Sequence, residues 1–162
     1  MIAASELAGY FAAHAIWSVS DEDRLIPMLA FTNEKDEKKM ERLVMDDAGA
    51  AVEFGRQKLE SNGMDANDAV LVYDGRIPVN GEKMDAIIIE IRSYFSPESQ
   101  LTFAVPYTPI SSGKFTVYKP KIASWVNCED FAQQNVVDSF WNGVDAHEQG
   151  VKVWNEHMDQ SK

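Results

Sequence analysis

The chain has 162 residues, of which 26 are acidic and 15 basic, so its formal net charge is −11 at pH 7. This charge argues against nucleic acid and against an anionic membrane surface as partners, because both are bound through Lys and Arg. The length predicts a single domain over 1–162, and the hydrophobic fraction of 45% is ordinary for a globular protein. The last four or so residues, after Met158, are expected to be frayed because none of them is apolar.

The location that we expect is the cytoplasm. Cys128 is the single cysteine, so no internal disulfide can form. The N-terminal residues lack the basic lead-in of a secretory signal, and Glu6 interrupts their apolar run. The acidic residues concentrate towards both ends of the chain, around a nearly neutral middle. This distribution favours either solubility alone or a surface for a basic protein partner.

The first part of the chain predicts two helices. Ser5 is a suitable cap for a helix to about Ser18, because apolar residues recur there at helical spacing until Asp21-Glu22-Asp23 ends the pattern. Asp46 or Asp47 caps a second helix to Ser61, which ends at Asn62-Gly63. Gly55 lies on the apolar stripe of this second helix, so we expect close packing against a sheet.

The segments between these helices are more ambiguous. Leu25–Phe31 is strand-like, and Pro27 suggests an edge strand because proline cannot donate to the ladder. Glu34–Lys39 is a mixed-charge stretch that predicts a solvated loop or a short exposed helix. Leu43–Met45 is a candidate short strand.

The middle of the chain predicts an antiparallel meander of about five strands over 68–120. Asp74-Gly75 and Asn80-Gly81 are the expected turns, and Asn-Gly is the strongest short hairpin signal. Residues alternate along the long strand Met84–Phe95, with one face almost wholly apolar, and again along Leu101–Tyr107. A turn at Ser111-Ser112-Gly113 then leads into a last returning strand.

Helices are predicted again at the C-terminal end. Asn127 is a suitable cap for a helix that Asn142-Gly143 would end, and a last helix runs from Asp145 to about Met158. Helices at both ends around a central antiparallel sheet predict a two-layer α+β domain.

Catalytic and metal-binding motifs are scarce in this sequence. We predict no metal and no cofactor, because His14, His147 and His157 lack a ligand spacing and no glycine-rich loop precedes a helix. Cys128 would lie near a helix N-terminus, which lowers a thiol's pKa, but the two carboxylates that follow it would raise the pKa again. The catalytic residues, if any, stay unknown.

The candidate partner or ligand face consists of Glu90, Arg92 and Tyr94 on one face of the long strand, together with Asp74 at a turn. The alternative is that the row is the solvent face of the sheet, with Glu90 and Arg92 in ordinary cross-strand pairs. Tyr94, Tyr107 and Tyr118 would form an interface platform if they were exposed together.

These observations favour a non-catalytic cytoplasmic binding protein, such as an inhibitor, an immunity-like protein or an adaptor, that docks a basic protein partner. One alternative is an enzyme for a small polar substrate, with Asp74 or Glu90 as acid or base. Another is a self-associating structural subunit, such as a homodimer formed through an edge strand or a tyrosine-rich face.

Overall fold

The computed structural model describes residues 1–21 and 24–162, so Glu22 and Asp23 of the predicted acidic break lie outside the described residues. The helices of this part of the chain are α1 (Ile2–Val19), α2 (Ala48–Ser61), α3 (Gln133–Ala146) and α4 (Glu148–His157). The strands are β1 (Met28–Thr32), β2 (Lys38–Arg42), β3 (Asp68–Val79), β4 (Glu82–Ser93), β5 (Gln100–Thr108), β6 (Thr116–Tyr118), β7 (Lys121–Val126) and β8 (Met158–Asp159).

The strands form one sheet in the order β2-β1-β3-β4-β5-β6-β8, and β7 also pairs with β5. All pairs are antiparallel except β6 with β8, so the sheet is mixed. Asn80 and Gly81 join β3 to β4 with φ of 51° and 84°, which confirms the predicted hairpin. The α+β class and the mainly antiparallel sheet are confirmed. The prediction of about five strands is wrong, because β1, β2, β7 and β8 also join the sheet.

Helices cover both faces of the sheet, so the prediction of two layers is also wrong. The main core lies between one face and the helices α1, α3 and α4, and it contains Ile87, Ile89 and Ile91 of β4. The opposite face carries Leu29 and Leu71, which pack with Ala51 and Leu59 of α2. We call these the α1 face and the α2 face.

Two glycines let α1 and α3 approach at backbone distance. A Cβ atom at Gly143 would lie 1.9 Å from the Glu6 carbonyl oxygen, and one at Gly9 would lie 1.8 Å from the Phe140 carbonyl oxygen. The predicted helix end at Asn142-Gly143 is therefore wrong: α3 continues to Ala146, and Gly143 serves as a contact point between helices.

Several predicted boundaries differ from the structure. Ser5 lies inside α1, where its hydroxyl donates to the Met1 carbonyl, and so it does not cap the helix. Pro27 precedes β1, and β1 pairs with strands on both sides, so it is not an edge strand. Asp74-Gly75 lies within the continuous strand β3, because β4 pairs along its whole length.

The chain after β6 also departs from the prediction. β7 is an additional strand, and Asn127 follows it with φ of 53° rather than capping a helix, since α3 begins only at Gln133. That the last residues are frayed stays a prediction; in the structure Lys162 lies over the ring of Tyr118.

Two segments before α2 also differ from the prediction. Leu43–Met45 is not a strand, and the mixed-charge stretch Glu34–Lys39 ends in β2, the outer strand of the sheet.

The second helix follows the prediction closely. The Asp47 side chain accepts from the Gly49 N–H at the start of α2, and Asn62 ends it in the left-handed conformation. Ala51, Gly55 and Leu59 are its buried residues. Within the described residues, no helix has the length and apolar character needed to cross a membrane.

Candidate functional site

The Glu90 carboxylate belongs to a closed network between β4, β3 and α2. Arg56 of α2 donates from Nε to Oε1 at 3.0 Å and from Nη2 to Oε2 at 2.6 Å, and the Tyr73 hydroxyl donates to Oε2 at 2.6 Å. Burial alone would raise the pKa of Glu90, but the hydrogen bonds from Arg56 and Tyr73 outweigh burial and lower it. The same burial and the neighbouring carboxylate raise the pKa of Tyr73 to about 12.

Arg92 and Tyr94 also contact α2. The Tyr94 hydroxyl donates to the Leu59 carbonyl at 2.6 Å, and Arg92 lies 4.0 Å from Glu60. Glu90 and Arg92 are each 8% exposed, so the predicted solvent face is wrong. Their strand neighbours on β3 are Leu71 and Ala69, so the predicted cross-strand ion pairs are absent from this register. The contacts of the row hold α2 on the sheet; ligand binding by these residues stays a prediction.

Asp74 lies on the opposite, α1 face, so the structure does not bring it together with Glu90. Its Oδ2 accepts from the Tyr107 hydroxyl at 2.9 Å, and its buried Oδ1 has no hydrogen-bond partner among the described residues. Burial raises the pKa of Asp74, and nearby Asp85 raises it further. A carboxyl group of this kind suits acid–base chemistry, so the enzyme alternative stays a prediction that rests on Asp74.

Two other sequence-based candidates are buried. Tyr107 is 2% and Tyr118 8% exposed, so the predicted tyrosine platform is not formed. Cys128 lies in the turn after β7 rather than at a helix N-terminus, and burial raises the pKa of its thiol. Among the described residues, no three His, Cys, Asp or Glu side chains are grouped so that they could hold a metal ion.

A polar cleft at one end of the α1 face was not found by sequence reasoning. We call it the arginine cleft. It has a volume of about 70 Å³, and its lining comes from α1, from the segment before β1, and from β1 and β2: His14, Ser18, Arg24, Leu25, Ile26, Met28 and Arg42. The register of β1 with β2 sets Arg42 beside Met28 at the rim of the sheet.

His14 in this cleft pairs with His147, the residue that caps α4. His147 Nδ1 accepts from the Gly150 N–H at 2.9 Å, so the proton of the neutral ring is on Nε2. That Nε2–H lies 3.1 Å from His14 Nδ1, which must then accept, and the proton of His14 is on its own Nε2. Burial lowers the pKa of both rings, and for His14 the charges of His147 and Arg42 lower it further.

An apolar cleft of about 90 Å³ adjoins the arginine cleft and shares Arg24, Leu25 and Ile26 with it. Its other lining residues are Pro27, Leu43, Val44, Met45 and Ala48. Three large apolar side chains on it are strongly exposed: Ile26, Met45 and Val44, the last at 75%. Trp17, 41% exposed, borders the arginine cleft through a ring contact with His14. We call the four side chains of Trp17, Ile26, Val44 and Met45 the Trp17–Met45 patch.

The sequence signal for this patch is weak because its members are far apart in the chain. Val44 and Met45 precede the cap of α2 and suggest a short strand, and Trp17 fits the apolar stripe of α1.

Larger clefts lie elsewhere in the described part of the chain. One of about 460 Å³, beside β6 and the end of α4, is lined by Lys114, Thr116, Glu156, His157, Met158, Asp159 and Gln160. Another, of about 260 Å³, lies between α3 and β7, and Lys119 is the only charged residue among the described ones that line it. The arginine cleft is distinguished by the exposed large apolar side chains beside it and not by its volume.

The comparisons with known proteins identify no relative, because no family model, no curated protein and no solved structure matches the chain. The functional argument therefore rests on the geometry of the described residues.

Proposed function

We propose that the chain is a binding protein that docks another protein through the Trp17–Met45 patch. The observation that carries this proposal is the gathering of four exposed large apolar side chains around two adjoining clefts that contain Arg24 and Arg42. Trp, Met and Arg are enriched in protein interfaces, and Trp and Arg are also enriched among the residues that dominate binding energy. Single exposed apolar residues are ordinary on a surface, whereas several large ones around adjoining clefts suggest a contact site.

The overall charge bears on the kind of partner. A net charge of −11 would attract a basic protein at long range and accelerate its association, even though Arg24 and Arg42 line the clefts beside the patch. An inhibitor, an immunity-like protein or an adaptor fits this description. The experiment below tests the charge of the partner through its salt dependence.

The test is a quantitative affinity capture from the lysate of the cell that makes the protein, read by mass spectrometry at about 50 mM and about 300 mM salt. The tagged wild type is compared with the double variant Val44→Asp/Met45→Asp. Phe95→Asp is the matched control, because Phe95 is exposed at 77% but lines neither cleft. We expect a stoichiometric partner that the double variant captures about tenfold less and the control captures normally.

Two results would contradict the proposal. A partner captured equally by all three proteins would place docking elsewhere. A patch that instead joins two copies of this chain would show as a mass that rises with concentration in light scattering and falls to the monomer in the double variant. If the captured partner is basic and is lost at the higher salt, the sequence-based prediction of its charge is supported.

A further inference from the structure

We infer that the arginine cleft binds a carboxylate of the partner, and that an apolar side chain next to this carboxylate in the partner's chain fills the adjoining apolar cleft. The inference rests on the proposed docking at the Trp17–Met45 patch and names the chemistry of the segment that docks.

The first support is the distribution of ion pairs among the arginines. The chain contains five arginines and 26 acidic residues. Arg56, Arg76 and Arg92 each lie within 4.0 Å of a carboxylate oxygen. Arg24 and Arg42 have no carboxylate partner within the described ranges 1–21 and 24–162, and both line the same cleft. Two guanidinium groups in one cleft, both without a carboxylate partner among the described residues, form a site for an external anion.

The second support is the protonation state of the third polar group. The hydrogen bonds of His147 place the remaining proton of His14 on Nε2, as a neutral donor. A bound carboxylate would therefore meet two charged donors and one uncharged donor. Because an adjacent anion favours imidazolium, binding would also raise the pKa of His14.

The third support is the size of the two clefts and the way they adjoin. A space of about 70 Å³ suits a group of carboxylate size. The two clefts meet along Arg24, Leu25 and Ile26, so a ligand that spans them carries its anionic group and an apolar side chain next to each other. A peptide offers this combination wherever an acidic residue or a free C-terminus adjoins an aliphatic residue.

The test is an NMR titration of the ¹⁵N-labelled full chain with three probes. N-acetyl-leucine carries the carboxylate and the side chain, N-acetyl-leucinamide carries only the side chain, and inorganic phosphate carries only negative charge. We expect N-acetyl-leucine to shift the amide signals of His14, Ser18, Arg42 and Val44. N-acetyl-leucinamide and inorganic phosphate should each bind at least about tenfold more weakly. Equal binding of the amide or of phosphate would overturn the inference.

Two variants complete the test. Arg24→Gln/Arg42→Gln should weaken N-acetyl-leucine binding about tenfold. Arg76→Gln, at an arginine whose side chain is 62% exposed and which lies outside both clefts, should leave it unchanged. An unchanged affinity in the double variant, with its amide spectrum still dispersed, would overturn the inference. In wild type, the His14 ring signals should titrate at higher pH with N-acetyl-leucine present, and an unmoved titration would also contradict it.

The capture experiment separates this inference from the proposed function. If Val44→Asp/Met45→Asp retains the partner while N-acetyl-leucine still binds in the arginine cleft, the docking proposal fails, and with it the assignment of the carboxylate to a partner. If the partner is lost from that variant but retained by Arg24→Gln/Arg42→Gln, docking stands and the carboxylate inference fails.

Discussion

The two faces of the sheet hold their helices by different means. On the α1 face, α1 and α3 meet at backbone distance through Gly9 and Gly143, above a core of isoleucine, valine and phenylalanine side chains. On the α2 face, a single helix is held by a smaller apolar cluster and by the bidentate pair of Arg56 with Glu90. One attachment therefore depends on close shape complementarity, and the other depends on a satisfied polar network.

The same comparison separates structural arginines from arginines that can bind a ligand. Arg56 on the α2 face donates four hydrogen bonds from its five N–H groups, to Glu90, Glu53 and Tyr73. Arg42 at the rim of the α1 face has no carboxylate partner among the described residues. Arg56 and Arg42 carry the same side chain and the same charge. They differ in how many of their N–H donors already have an acceptor within the described part of the chain.

The largest effect is expected from Gly143→Ala. The new methyl group would meet the Glu6 carbonyl at 1.9 Å and the Tyr10 nitrogen at 2.7 Å, and backbone cannot move aside as a side chain can. We expect a loss of about 3 kcal/mol or more in the free energy of unfolding, measured by urea denaturation.

Gly55→Ala on the α2 face is the matched control for this substitution. Its Cβ would meet only the side-chain ends of Leu43 and Leu71, at 2.6 Å, and both ends can turn away. Alanine also favours the helix by about 1 kcal/mol, so the net change should stay within about 1 kcal/mol. Equal losses in the free energy of unfolding of Gly143→Ala and Gly55→Ala would contradict the conclusion that only the α1 face depends on contact between helix backbones.

The second largest loss of stability is expected when the pair of Arg56 with Glu90 is broken. Arg56→Met leaves the buried Glu90 carboxylate with the Tyr73 hydroxyl as its one hydrogen-bond donor in the described part of the chain. We expect a loss of about 2–3 kcal/mol, below the value for a fully buried pair because the Arg56 side chain is 31% exposed. Arg76→Met, which breaks a pair with Asp85 that is 3.8 Å long and mostly exposed, should cost less than about 0.5 kcal/mol. Similar losses in both variants would contradict a structural role for Glu90.

The smallest effect is a pH dependence from the histidine pair. Burial lowers the pKa of His14 and His147 in the folded chain, so below the ordinary value of 6.5 the unfolded chain binds more protons. Stability is then highest above pH 6.5 and falls as the pH drops through it. We expect the free energy of unfolding to decline between about pH 7.5 and about pH 5.5.

The variant His14→Gln/His147→Asn isolates this contribution, because the asparagine side chain introduced at the cap of α4 can still accept from the Gly150 N–H. The double variant should show a smaller decline over the same range. Asp68 and Asp74, whose pKa values burial raises, act with the opposite sign but equally in both proteins. An undiminished decline in the double variant would assign the pH dependence to other groups.

Local patterns predicted those parts of the fold in which sequence neighbours interact. The cap and end of α2, the Asn80-Gly81 hairpin and the alternation along β4 all follow from residues within a few positions of one another. The boundaries that were wrong depend on distant partners. Gly143 was expected to end a helix, and only the approach of α1 shows why glycine is needed there.

The candidate site was the least predictable feature, for the same reason. Both predictions for Glu90 and Arg92, a ligand face or a solvent face, assume that this face of β4 is open, because nothing in its alternation shows that α2 covers it. Composition, helical periodicity and turn residues by themselves determined an acidic α+β protein with a mainly antiparallel sheet. Tertiary structure decided which polar residues are saturated and which line a cleft, because hydrogen-bond partners such as Arg56 and Glu90, or His14 and His147, come together only when distant segments pack.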